Sequence, residues 1–194
     1  MIYESLVEDY FSSFIDTLKR IDVNELVKLI NAIESAVSSN KKIFIMGNGG
    51  SSSTASHIQS DLSNTVYNLK GKRINAYCLS DNTATITAIA NDYSYDLIYV
   101  RQLQGIINQG DLIIAISGSG NSKNIIDAIL YAKSVKANIA AMTGYDGGAI
   151  KEFADINLNV PVKNMQISED IHLIFNHVMT HVLNFSDMEF RRDC

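Results

Sequence analysis

The chain has 194 residues, enough for one sizeable domain and too few for two comfortable ones. Hydrophobic residues make up 46% and charged residues 19%, an ordinary globular balance. A formal net charge of −5 argues against a broad nucleic-acid surface, which needs clustered Lys and Arg. Cys78 and Cys194 lie far apart and form no CxxC pair. A disulfide framework or a cysteine-based zinc site is therefore not expected, and a reducing cytoplasm fits. Residues 1–20 carry Glu4, Glu8, Asp9, Asp16 and Lys19 between apolar residues, the pattern of neither a signal peptide nor a membrane span. A cytoplasmic protein without a membrane partner is expected.

Two amphipathic helices are predicted first. In residues 2–18, Leu6, Tyr10, Phe14 and Leu18 recur at steps of four, with Val7 and Phe11 beside them. In residues 24–37, Leu26, Ile30, Ile33 and Val37 recur at steps of three or four. The aromatic residues of the first helix need a substantial packing partner, either another subunit or the chain's own domain. Five short apolar runs follow: "KIFIMG" (42–47), "INAYCL" (74–79), "DLIIAIS" (111–117), "NIAAMTG" (138–144) and "INLNVPV" (156–162). Helix-like segments lie near 52–64, 83–90, 97–108, 123–136 and 146–154. This alternation predicts a mainly parallel sheet covered by helices on both faces. Pro161, the only proline, suits the end of an edge strand. A last helix is predicted over 168–185, with Ile171, Ile174, Val178 and Val182 at helical spacing and Ser168 as its N-cap. No repeat or linker interrupts the chain, so residues 1–194 read as one domain.

Two turns carry the functional signal. "GNGGSSS" (47–53) follows the first strand and opens a helix; "SGSGNSKN" (117–124) follows the third strand in the same way. In an open parallel sheet, ligands bind beyond the carboxyl ends of the strands. Glycines let the backbone approach closely, and free N–H groups at a helix start suit an anion. The spacing is neither GxGxxG nor GxxxxGK[ST], which disfavours dinucleotides and nucleoside triphosphates and leaves a phosphorylated small molecule.

His57 and Asp61, at i and i+4, share a helix face and could hold a metal or act as an acid–base pair. The last helix carries Glu169, His172, His177 and His181. Glu169 and His177 are about 12 Å apart along an ideal helix, a long span for two ligands of one ion. His172 and His181 read as interfacial or capping residues. Asp92, beside Asn91, could fix sugar hydroxyls or cap the next helix.

Taken together, "GNGGSSSTASHIQSDL", "ANDYSYDLIYVRQ", "ISGSGNSKNIIDAI" and "MTGYDGGAI" resemble the sugar isomerase (SIS) domain family, and within it the phosphoheptose isomerase branch. The resemblance covers nearly the whole chain. It implies a flavodoxin-like α/β fold: a five-stranded parallel sheet sandwiched by helices, with additional N-terminal helices. Residues 1–40 would be a helical extension used in oligomerisation, and the assembly a homotetramer with sites near subunit interfaces. The ligand would be a phosphorylated seven-carbon sugar. The family's substrate-contacting positions fall on Asn48, Gly49, Gly50 and Ser51, on Asn91 and Asp92, and on Ser117, Gly118, Ser119 and Ser122, with Asp61 and Glu169 adjoining. Its metal positions, for one zinc per subunit, fall on His57, Asp61, Glu169 and His177, and its catalytic pair on Asp61 and His177. Several positions depart from the family pattern: Asp61 stands for a Glu, Glu169 for a Gln and Gly118 for a Thr, while an Arg is replaced near Thr65. The implied activity is aldose–ketose isomerisation of sedoheptulose 7-phosphate to D-glycero-D-manno-heptose 7-phosphate through an enediol, for bacterial heptose biosynthesis (lipopolysaccharide or capsule). The alternative is a non-catalytic SIS-domain protein, a sugar-phosphate sensor or an adaptor for the replication initiator.

Overall fold

A computed structural model describes residues 2–66, 68–69 and 71–192; Cys194 lies outside them. All five apolar runs form strands. They are β1 (Lys42–Gly47), β4 (Asn75–Cys78), β5 (Leu112–Ser117), β6 (Asn138–Gly144) and β7 (Ile156–Val160). The sheet order is β4-β1-β5-β6-β7 and every pairing is parallel. This is the flavodoxin-like order, with its switch point between β1 and β5. Pro161 follows edge strand β7, where no ladder bond is lost.

Successive side chains along each strand feed opposite cores. Ile43, Ile45, Ile114, Ile116 and Met142 face one side; Phe44, Met46, Ile113, Ala115 and Ala141 face the other. The first side is covered by α2 (Val23–Ser38), α3 (Gly50–Ser60) and α7 (Met165–Arg192). The second is covered by α4 (Thr83–Asp92), α5 (Val100–Leu103) and α6 (Lys123–Ser134). A two-residue hairpin, β2 (Asn68–Leu69) with β3 (Lys72–Arg73), lies between α3 and β4. Helix α1 (Ile2–Leu18) presses Tyr10, Phe14 and Leu18 against the first core and leaves Leu6, Val7, Phe11 and Ile15 exposed. No described helix is long and apolar enough to cross a membrane.

The helical segments differ from the sequence expectation in four places. Residues 97–108 hold only a 3-10 turn (Tyr95–Leu97) and the four-residue α5. Residues 146–154 hold only the 3-10 turn Ala149–Glu152. Helix α3 does not simply continue to residue 64: it passes into a π-helical turn, Asp61–Thr65, closed by Val66 N–H donating to the Asp61 carbonyl at 2.9 Å. Helix α7 starts earlier than expected. Asn164 Oδ1 accepts from Ile167 N at 3.1 Å and caps it, whereas Ser168 is buried inside the first turns and donates to the Asn164 carbonyl.

His172 is neither interfacial nor a cap. It is fully buried, and its Nε2 lies 3.0 Å from the Thr143 carbonyl, joining α7 to β6. A carbonyl only accepts, so Nε2 carries the proton and Nδ1 is left without a partner. Burial pushes the imidazole down to about 4, opposed by the bond to Thr143. The unfolded chain then binds more protons than the fold between these values. Stability from this residue is therefore complete above about pH 6.5 and falls as the pH drops toward 4, by about 3 kcal/mol in all. Urea unfolding across that range should show a shallower acid-side decline in a His172→Gln variant than in the parent.

Candidate active site

The switch point between β1 and β5 opens a cleft at the carboxyl ends of these strands. It is lined by both sequence-predicted turns: Asn48, Gly49, Gly50 and Ser51 from one side, and Ser117, Gly118, Ser119 and Ser122 from the other. Glu169, Met165 and Ile116 complete the wall. Gly49 takes φ 55° and ψ −124° to swing the chain off β1 into α3, a conformation that L side chains rarely adopt. A Cβ at Gly50 would sit 2.6 Å from Glu169 Oε2, the tip of a side chain that would have to move aside. The carboxyl of α7 thus rests on the first turn of α3.

A hydrogen-bonded frame joins the two turns. Asn48 and the buried Asn124 exchange amide bonds in both directions at 2.9 Å. The Tyr95 hydroxyl donates to Asn48 Oδ1 at 3.1 Å; the Tyr99 hydroxyl donates to the Gly47 carbonyl at 2.5 Å and lies 3.1 Å from Asn48 Oδ1, and Ser80 Oγ donates to the same carbonyl at 2.9 Å. Burial pushes the Tyr99 phenol up to about 12, so it stays a donor throughout the neutral range. Ser117 and Ser122 hydroxyls lie 3.2 Å apart at the start of α6. No Lys or Arg is among the residues that line the cleft; its donors are hydroxyls, amides and helix N-termini.

The second constellation lies along the seam where α3 packs on α7. His57 Nε2 stands 3.5 Å from Asp61 Oδ2, and the His57 and His177 rings meet edge-on with centroids 5.1 Å apart. One ligand atom from each of His57, Asp61 and His177 falls within 4.8 Å of the others. Two imidazoles and a carboxylate make a donor set suited to a zinc-type ion, so these residues fit a metal. Glu169 is not in this group, because it lies two turns earlier on α7, at the cleft. Asn91 and Asp92 do not line the cleft either. They end α4, where Asn91 Nδ2 donates to Asp92 Oδ1 at 2.9 Å, and Asp92 is not the cap of the following turn, whose N-cap position is Ser94. His181 is exposed.

Asp61 also has partners that sequence reasoning missed. Asn176 Nδ2 donates to Asp61 Oδ2 at 2.7 Å, Thr180 Oγ1 lies 3.5 Å from the same oxygen, and Thr65 Oγ1 donates to Oδ1 at 3.3 Å. Asn176 and Thr180 belong to the face of α7 that bears on α3. The signal was the i, i+4 spacing of two polar residues on an otherwise apolar face.

Comparison with known proteins identifies the family. A model of the SIS domain matches residues 9–144. The chain is 37% identical over 164 residues to a probable phosphoheptose isomerase of Thermoplasma acidophilum, covering 84% of this chain and 90% of the relative. It is 34% identical to the phosphoheptose isomerase of Helicobacter pylori, covering 91% and 93%. The solved structure of phosphoheptose isomerase GmhA from Neisseria gonorrhoeae superposes with a TM-score of 0.86 at 28% identity, covering 94% of this chain and 98% of that one. The chain belongs to the SIS domain family and, within it, to the phosphoheptose isomerases.

Proposed function

We propose that this protein is an aldose–ketose isomerase that converts sedoheptulose 7-phosphate to D-glycero-D-manno-heptose 7-phosphate for heptose biosynthesis in the cytoplasm. The observation that carries the reading is the separation of two sites on one pair of helices. Gly50 and Glu169 lie at the cleft; His57 and His177 lie seven and eight residues further along α3 and α7. At 1.5 Å per residue the offset is about 11 Å. Such an offset suits a ligand whose phosphate and reacting carbonyl sit at opposite ends of a carbon chain.

In this reading the serine turn, Ser117, Gly118, Ser119 and Ser122, receives the phosphate with Ser51 and the start of α3. Asn48, Gly49 and Gly50 shape the floor, Glu169 contacts substrate hydroxyls, and Asn91 and Asp92 contribute at a subunit boundary. Asp61 and His177 form the acid–base pair. One takes the proton from the carbon next to the carbonyl, leaving an enediol; the other delivers a proton to the neighbouring carbon, so that carbonyl and hydroxyl exchange places. His57, Asp61 and His177 would hold zinc, one per subunit; the ion would polarise the carbonyl. The exposed apolar face of α1, with Val178 and Val182 of α7, suits burial against other subunits, in keeping with a homotetramer in which residues 1–40 extend the single domain.

His177 is exposed, so His177→Ala should leave the unfolding midpoint close to that of the parent. It should also lower the interconversion of the two heptose phosphates by a factor on the order of 10²–10⁴. A parent-like rate would remove His177 from the chemistry. Dialysis against a chelator should reduce turnover, and zinc should restore it with about one equivalent per subunit by elemental analysis. Phe11→Glu should shift the mass in light scattering from tetramer toward smaller species; an unchanged tetramer would place the interface elsewhere.

A further inference from the structure

We propose that Asn176 is a positioning residue that adapts the α3–α7 seam to a short carboxylate at position 61. The inference rests on the isomerase reading in one respect, that Asp61 acts in the reaction.

Asp61 has a short side chain, and it is carried by a π-helical turn rather than a regular one. A shorter side chain reaches less far toward His177. Asn176, the residue immediately before His177, closes the gap from the other helix: its Nδ2 donates to Asp61 Oδ2 at 2.7 Å. That oxygen is the one facing His57 Nε2 at 3.5 Å. Asn176 therefore fixes the direction of the carboxylate oxygen that faces His57, within the His57–Asp61–His177 group. The carboxylate only accepts, so the amide must present its nitrogen, and this choice strands its carbonyl. Asn176 Oδ1 is buried with no hydrogen-bond partner, and the residue has no exposed surface.

An orphaned carbonyl in a core lowers stability, and that cost is offset here by the donor that the same amide gives to the Asp61 carboxylate. What the amide supplies is the aim of Asp61. Outer-shell groups of this kind change metal affinity or activity by 10–100-fold when they are lost.

The discriminating variant is Asn176→Leu. We expect its kcat to fall 10–100-fold with KM changed less than about threefold, and its zinc affinity in a competition with a chromophoric chelator to fall 10–100-fold; its midpoint should fall modestly, because Asp61 loses a donor as the orphaned carbonyl is removed. Asp61→Glu added to Asn176→Leu should recover at least tenfold in kcat, because the longer carboxylate reaches without the clamp. Parent-like kcat and zinc affinity, or no recovery in the double variant, overturns the proposal. If the parent itself does not turn over heptose phosphates, the isomerase reading fails. The zinc affinities then still decide whether Asn176 aims Asp61.

Discussion

The close approach of α7 to the first turn of α3 governs the rest of the site. Residue 50 is a glycine, and the Glu169 carboxyl comes so close that a Cβ there would have to push it aside. With the two helices docked at that end, their shared direction sets every later contact by helical rise. Residues 57 and 61 come level with 176, 177 and 180, and two histidines separated by 120 positions meet edge to edge. The binding cleft and the candidate acid–base group are thus two ends of one seam, not two independently built sites.

The sheet supplies the other half of the constraint. Its order places β1 and β5 side by side, so the turns that follow them are neighbours, and the reciprocal Asn48–Asn124 amide pair ties them together. Tyr99, buried in the second core, and the exposed Tyr95 both lie against the same asparagine. The frame combines the buried Asn124 and Tyr99 with the half-buried Asn48 and Ser80, and its directional bonds specify one arrangement of the turns more sharply than apolar packing does.

Much of this was legible in the sequence. The strands were, because apolar runs ending in Gly or Ser have few other uses in a chain of this length. The two turns were, because their position after strands gave them a role. Residues 97–108 misled because Leu97, Val100, Leu103 and Ile107 are core residues in a compact loop, and burial imposes spacing even without a continuous helix. The π-turn at Asp61–Thr65 was illegible: one extra residue per turn leaves composition and periodicity almost unchanged. His172 and His177 look alike on a helical wheel of polar residues, yet one lies wholly in the core and the other on the surface. Glu169 was drawn toward the metal group by analogy, and the rise of α7 keeps it at the cleft. Asn176 was overlooked because a polar residue on an apolar face has meaning only once its partner on another helix is known.

The cleft's lack of basic side chains has a consequence for how an anion is recognised. The chain carries −5 overall, and Glu169 stands at the cleft itself. A phosphate in the proposed site would be met by hydroxyls, amides and helix N-termini, donors with fixed directions, rather than by basic side chains of the lining. Discrimination then lies in geometry: a tetrahedral dianion satisfies converging hydroxyls and amides where a planar carboxylate of the same charge density does not.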